Sequence, residues 1–218
     1  MTSKQAGRGI MLSVNLPDYP ELQVPCSTHV VVTGPSGSGK SELCLLLAGV
    51  MEERSREALV ELDGIRLDAI GTEERSRLIG LVPSDPYLAF TGIKRTLAGE
   101  LSMILRLLGV DDDTGNSAIR QCCTALDLLD HLDRDPFTFS GGEAVRAALA
   151  MALVKCPKLL ILDQMHEQLD PLALPALMAA IELICPLQSD PVSILELVTK
   201  EEWNGKEAQA GGDHRQAA

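Results

Sequence analysis

One stretch of this chain constrains its fold more than any other: Gly34-Pro35-Ser36-Gly37-Ser38-Gly39-Lys40-Ser41. It fits the phosphate-binding loop (P-loop) pattern G-x-x-x-x-G-K-[ST] without a gap. The β-branched run 29–33 before the loop predicts a buried strand, and the run 41–49 after it predicts a helix. Glycines let backbone N–H groups close around an anion, and the helix N-terminus adds its dipole. We therefore predict a nucleotide site in which Lys40 reaches the β- and γ-phosphates and Ser41 holds Mg²⁺.

The charge and composition of the chain exclude several classes of protein. Its 31 acidic and 19 basic residues give a net charge of −12, and nucleic-acid binding requires a basic face instead. Apolar runs are all shorter than a membrane span, and the N-terminus lacks the apolar core of a signal peptide. The six cysteines are scattered without a C-x-x-C pair, which is typical of a reduced chain without a zinc site. We expect a soluble protein that leaves any membrane spanning to a partner.

Hydrophobic patterning beyond the P-loop predicts alternating strands and helices. The predicted strands are 10–14, 58–62, 65–67, 79–82, 159–163 and 192–198, and the predicted helices are 73–77, 94–108, 116–129, 144–155 and 173–185. Residues 15–25 contain three prolines and are predicted to be a loop, and 111–115 are predicted to be a polar break. This order indicates an α/β fold with a mostly parallel sheet and an α-helical lobe. Residues 204–218 have almost nothing to bury and are predicted to be disordered.

Two further motifs bear on the nucleotide site. The apolar run Leu159 to Leu162 predicts a buried strand, and it ends in Asp163, whose carboxylate can orient Mg²⁺. The second motif is Ser140-Gly141-Gly142-Glu143, at the start of a predicted helix. It suits an anion-binding helix N-terminus and also fits a capping box, and both interpretations can hold together.

The order of P-loop, helical lobe, Ser140–Glu143 motif and strand-terminal Asp163 resembles the nucleotide-binding domain of ABC (ATP-binding cassette) proteins. The resemblance covers roughly residues 28–200. It implies a P-loop NTPase fold, in one domain over 1–203, with the helical lobe inserted at about 86–150. Asp170 fits the family's D-loop acid. Residues 135–139 and 147–157 look most like energy-coupling-factor importers of metals and vitamins.

The resemblance also implies a mechanism and partners. Two such domains dimerise head to tail, and ATP with Mg²⁺ is held between the P-loop of one and the signature motif of the other, here Ser140 to Glu143. A second ABC subunit and a membrane permease are the implied partners, without nucleic acid. The implied location is cytoplasmic, on the inner face of the membrane through the permease.

Four positions depart from the family pattern, all on the P-loop side of the site. Gln164 replaces the glutamate that polarises the attacking water, and loss of a general base typically costs roughly 10²–10⁴ in rate. Ser84 replaces the loop glutamine, and Lys200 replaces the switch histidine. Glu42 stands where the family usually has threonine, which places a carboxylate beside the phosphates. Tyr19 is either the aromatic side chain that stacks on adenine or a simple loop tyrosine.

These departures lead to one leading hypothesis and two alternatives. The first is an ABC transporter ATPase subunit with a degenerate hydrolytic site and weak activity of its own. Its intact signature would complete the site of a partner, with a heterodimer favoured and a homodimer possible. The alternatives are a regulatory ATP-binding module outside transport and an inactive pseudo-ATPase.

Overall fold

The computed structural model describes residues 9–17, 19–51, 59–165, 178–181, 184, 192–199 and 208–210. The strands are β1 (Ile10–Asn15), β2 (Leu22–Pro25), β3 (His29–Gly34), β4 (Leu59–Leu62), β5 (Ile65–Arg66), β6 (Ile79–Val82), β7 (Leu159–Asp163), β8 (Ser193–Thr199) and β9 (Ala208–Ala210). The helices are α1 (Lys40–Leu47), α2 (Thr72–Leu78), α3 (Leu97–Leu107), α4 (Asp112–Ala125) and α5 (Gly141–Leu153). Among these residues no helix is long and apolar enough to cross a membrane.

The larger sheet has the order β6-β7-β8-β3-β9. Its first four strands run parallel, and β9 pairs antiparallel with β3. Helices α3, α4 and α5 are all inserted in the chain between the neighbouring strands β6 and β7. The expected α/β fold with a mostly parallel sheet and inserted helices is therefore confirmed.

The second sheet is antiparallel, with the order β2-β1-β4-β5. Its hairpin between β4 and β5 turns at Asp63 and Gly64, whose φ angles of 52° and 75° match the left-handed turn expected from an Asp-Gly pair. Strand β2 lies within residues 15–25, where a loop was predicted, so that prediction was wrong there. Pro25, the one proline in β2, is tolerated because it ends an edge strand of the sheet, where a missing N–H breaks no ladder.

The core has two parts, one on each face of the parallel sheet. Side chains alternate along β7, so that Leu160 and Leu162 pack with α3, α4 and α5, while Leu159 and Ile161 pack with α1 and the antiparallel sheet. All four are fully buried. Burial on both faces explains why the strand is a continuous apolar run rather than an alternating one.

The structure corrects two predictions, one about the start of a helix and one about the C-terminal segment. The predicted polar break at 111–115 is the start of α4, because the Asp111 carboxylate caps the helix by accepting from the Thr114 N–H at 3.0 Å. Residues 208–210, in the segment predicted to be disordered, form β9 on the edge of β3. An edge strand has unpaired backbone groups, which β9 satisfies. The other residues of 204–218 lie outside the described ranges.

Candidate functional site

The candidate nucleotide site lies at the carboxyl edge of the parallel sheet. Parallel strands bring their carboxyl ends to the same edge, which is where α/β sheets bind ligands. Gly34 at the end of β3 pairs with Thr199 at the end of β8, and Asp163 at the end of β7 pairs with Leu197. Ser84 follows β6, the neighbour of β7. The strand order thus brings the P-loop, Ser84 and Asp163 to one edge of the sheet.

The P-loop has the backbone conformation that its glycines predict. Gly37 and Gly39 have φ angles of 79° and 85°, in the region where only glycine is unstrained. Gly39 is the N-cap of α1, and no side chain of the described residues bonds the free N–H groups of that helix end. These N–H groups are therefore available to an anion.

Lys40 is held inside this loop. Its side chain is 4% exposed. Its ammonium group donates to the Gly34 carbonyl at 2.9 Å, the Pro35 carbonyl at 2.7 Å and the Ser38 hydroxyl at 3.1 Å. Three acceptors stabilise a buried cation that would otherwise be costly. A positive charge thus lies within the anion-binding loop.

Ser41 and Asp163 form the candidate Mg²⁺ site. The Ser41 hydroxyl donates to Asp163 Oδ2 at 3.1 Å. Asp163 is 4% exposed, and its other oxygen, Oδ1, is buried without a hydrogen-bond partner among the described residues. Burial of the Cys44 thiol, and secondly the negative charge of Asp163, hold the pKa of that thiol far above its ordinary value, so Cys44 is a neutral neighbour. A buried carboxylate oxygen beside a hydroxyl fits Mg²⁺, which prefers such oxygen ligands.

The positions that depart from the family pattern are only partly described. Glu42 is exposed in the first turn of α1, with Oε2 3.7 Å from the position that a Cβ on Gly39 would take. Tyr19 lies on the same side, with its ring Cε2 also 3.7 Å from that position. Gln164 has a φ of 55°, and its N–H donates to the Leu197 carbonyl at 2.8 Å. Lys200 and Asp170 lie outside the described residues.

The signature motif forms the N-terminus of α5. Ser140 is the N-cap, and a complete capping box links it to Glu143. Glu143 Oε2 accepts from the Ser140 N–H at 2.8 Å and from the Ser140 hydroxyl at 2.9 Å. Gly141 is exposed, with no described atom within 4 Å of where a Cβ would stand. The motif thus presents an open, ordered helix end.

The sequence did not reveal the residues that support Glu143. Arg134 Nη1 donates to Glu143 Oε1 at 3.0 Å, and the His131 Nε2 lies 3.7 Å from the same oxygen. The Arg134 guanidinium also lies over the Phe139 ring, 4.9 Å from its centroid. Hydrogen bonds from Ser140 and then the ion pair with Arg134 lower the Glu143 pKa to about 2. Arg134 and Phe139 lie outside the helices and strands, where no periodicity predicts which side chains meet.

A parallel sheet with a lysine-containing glycine loop after one strand and an aspartate at the end of another defines a P-loop nucleoside triphosphatase. Residues 18–166, more than half of the chain, match the protein family described as ABC transporter. The chain belongs to this family.

Individual relatives agree with this assignment. ABC transporter ATP-binding proteins of Pyrococcus furiosus and Pyrococcus abyssi are 33% and 34% identical over 153 and 166 residues. Those matches cover 70% and 75% of this chain but 57% and 59% of the relatives, so the chain spans less than two thirds of their length. An energy-coupling factor transporter ATP-binding protein of Lactococcus lactis is 32% identical over 142 residues, which are 65% of this chain and 50% of the relative.

A solved structure supports the fold. The chain is similar to cbiO1 from Clostridium perfringens, described as part of the ABC transporter complex cbiONQ. The TM-score is 0.69 at 20% identity, over 88% of this chain and 79% of the other. At this identity the similarity concerns the fold alone.

Proposed function

We propose that this chain is the ATP-binding subunit of an ABC transporter, and that its signature motif completes the active site of a partner subunit. Energy-coupling-factor importers are the proposed subfamily, because relatives with that name are among the matches. The proposed partners are a second ABC subunit and a membrane permease. The proposed location is the cytoplasmic face of the membrane, through that permease.

The chain's own site is proposed to bind Mg–ATP. Lys40 would neutralise the β- and γ-phosphates from inside the loop, while the free N–H groups at the start of α1 would bind phosphate oxygens. Ser41 and Asp163 Oδ1 would hold Mg²⁺, whose charge would offset that of the phosphates. Asp163 Oδ1, which is buried without a partner among the described residues, supports this role because a cation would satisfy it.

Hydrolysis at this site is proposed to be slow. The amide of Gln164 cannot accept a proton, so the position after Asp163 lacks a general base. Ser84 is too short to contact the metal in the manner of a glutamine, and Lys200 lacks the geometry of an imidazole. Glu42 adds a negative charge near Gly39, which disfavours the polyphosphate.

The division between the two faces carries the proposal. Glu42, Ser84, Gln164 and Lys200 all belong to the P-loop side, whereas the signature side is unaltered and has a complete capping box. Random substitution would be expected to alter residues on both sides. A head-to-tail partner would therefore gain from this chain an ordered helix end aimed at its own γ-phosphate.

Purification of the tagged full-length chain from its native cells tests the proposal. A second ABC subunit and a multi-span membrane protein should co-purify, and the isolated chain should bind ATP with little turnover. A soluble partner alone would instead indicate a regulatory module. Absence of ATP binding would indicate an inactive pseudo-ATPase, and either result would overturn the transporter assignment.

A further inference from the structure

The carboxylate of Glu143 is divided between two sets of donors. One oxygen, Oε2, accepts from the backbone N–H and the hydroxyl of Ser140 at 2.8 Å and 2.9 Å. The other, Oε1, accepts from Arg134 Nη1 at 3.0 Å. Glu143 therefore links the first residue of the signature to a cation in the preceding loop.

This arrangement has a consequence for any phosphate that approaches α5. The Ser140 hydroxyl has a single proton, and at 2.9 Å that proton is directed to Glu143 rather than outward. A phosphate oxygen needs the same proton. The carboxylate also places a full negative charge in the first turn of α5, where the phosphate would approach. Without a cation to balance its charge, Glu143 would oppose phosphate binding in both of these ways.

Arg134 is well placed to weaken both obstacles. Its guanidinium lies over the Phe139 ring, and Nη1 lies 2.6 Å from His131 Nδ1. Its backbone carbonyl accepts from the Leu97 N–H at 3.0 Å, which ties the loop to the start of α3. The guanidinium is thus oriented by the Phe139 ring, the His131 nitrogen and Glu143 Oε1. It therefore offsets the Glu143 charge and draws electron density away from the oxygen that holds Ser140.

We infer that Arg134 is a positioning residue for the signature motif: it balances the Glu143 carboxylate so that Ser140 and the N-terminus of α5 can accept the γ-phosphate of a nucleotide bound to the partner subunit. This inference rests on the proposed function, since it concerns the site shared with the partner. It assigns the charge balance of that site to a residue that does not itself contact the nucleotide.

The test measures Mg–ATP hydrolysis by the co-purified complex with four forms of this chain. Arg134→Met should raise KM about tenfold, because Glu143 is left unpaired, while kcat stays within about twofold. Arg134→Met combined with Glu143→Gln should return KM to within about twofold of wild type, because the unpaired charge is gone. Glu143→Gln alone should give a KM no higher than wild type.

Two controls separate this inference from the proposed function and from misfolding. Arg106→Met removes an arginine from an exposed carboxylate pair with Asp112, far along the chain from the signature, and should leave KM unchanged. Failure of the double variant to recover, or failure of either variant to assemble, would show that Arg134 is merely structural and would overturn the inference. If Ser140→Arg leaves ATPase intact, the signature is not used, and the proposed function falls together with the inference.

Discussion

Ser41 Oγ donates to Asp163 Oδ2 across 3.1 Å, although the two residues are 122 positions apart in the chain. The bond joins the first turn of α1 to the end of β7, so it connects the P-loop to the strand that supplies the second half of the site. The remaining Asp163 oxygen is buried and has no partner among the described residues. The fold thus presents a hydroxyl and an unsatisfied carboxylate oxygen together, at the edge of the sheet where the phosphates would lie.

Removal of the Lys40 ammonium should greatly weaken ATP binding by the isolated chain. The group is buried among three loop oxygens and supplies the positive charge of the loop. Loss of a charge-assisted contact with phosphate should lower affinity at least about tenfold. Titration of a fluorescent ATP analogue against Lys40→Ala checks this, with Lys94→Ala as the exposed control. Equal affinity of wild type and Lys40→Ala would refute the assignment.

Asp163→Asn should separate folding from metal binding. Without nucleotide the variant should be at least as stable as wild type, because a buried and partly unpaired charge is replaced by a neutral group of the same shape. Its gain in melting temperature on addition of Mg–ATP should be lost, because the metal ligand is gone. Thermal unfolding with and without Mg–ATP measures both effects. An equal gain in the two proteins would argue against Asp163 as the metal ligand.

Much of the fold could be predicted because strong local signals agree with the tertiary structure. The run from Leu159 to Asp163 is apolar and short, which predicts a buried strand, and the Asp-Gly pair at 63–64 predicts the hairpin. Strand β2 could not be predicted, because the prolines before it and at its end favour a loop unless the strand is known to be an edge. Asp111 was interpreted as part of a break because polar residues mark both loops and helix caps. Strand β9 has no sequence signal at all.

The candidate site likewise has a part that the sequence predicts and a part that it does not. The loop from Gly34 to Ser41 carries its function in one continuous pattern, so its conformation follows from the sequence. The sequence predicts that Ser41 and Asp163 both serve Mg²⁺, and in the structure their side chains lie 3.1 Å apart. The Arg134–Glu143 pair was not predicted, because residues in an irregular loop can meet in many ways. The left-handed conformation of Gln164, whose N–H bonds the Leu197 carbonyl, was not predicted either.

Gly80→Ala should destabilise the protein through its position in β6. A Cβ there would lie 2.9 Å from the Ala152 carbonyl oxygen and 3.0 Å from Pro157 Cγ, and neither group can move aside easily. Overpacking of this kind costs about 1–3 kcal/mol. Urea unfolding measures the loss.

Gly71→Ala is the matched control, since its φ is −60° and no described atom lies within 4 Å of the added Cβ. We expect a cost below about 1 kcal/mol there, from the changed N-cap. Equal costs at the two positions would contradict this account of β6.

Charge on Glu143 should make a pH-dependent contribution to stability. Its pKa in the folded protein is about 2, below its ordinary value of 4.5. Because folding lowers this pKa, the contribution of Glu143 to stability is fully present above the pKa of the unfolded chain. It is lost as the pH falls through the pKa of the folded protein. The difference in urea midpoint between wild type and Glu143→Gln should therefore be largest near neutral pH and shrink below about pH 4. A difference that does not change with pH would contradict the assigned pKa.

The ATPase activity of the reconstituted complex tests the proposed division between the two subunits most directly. Ser140→Arg in this chain places a bulky side chain on the open end of α5, where the γ-phosphate of the partner's ATP must dock, and should abolish hydrolysis. Lys40→Ala in the same chain should retain more than about half of the activity, because the site that it damages turns over slowly. If the two variants are equally damaging, or if the chain forms only homodimers, this chain does not supply its signature to a more competent partner.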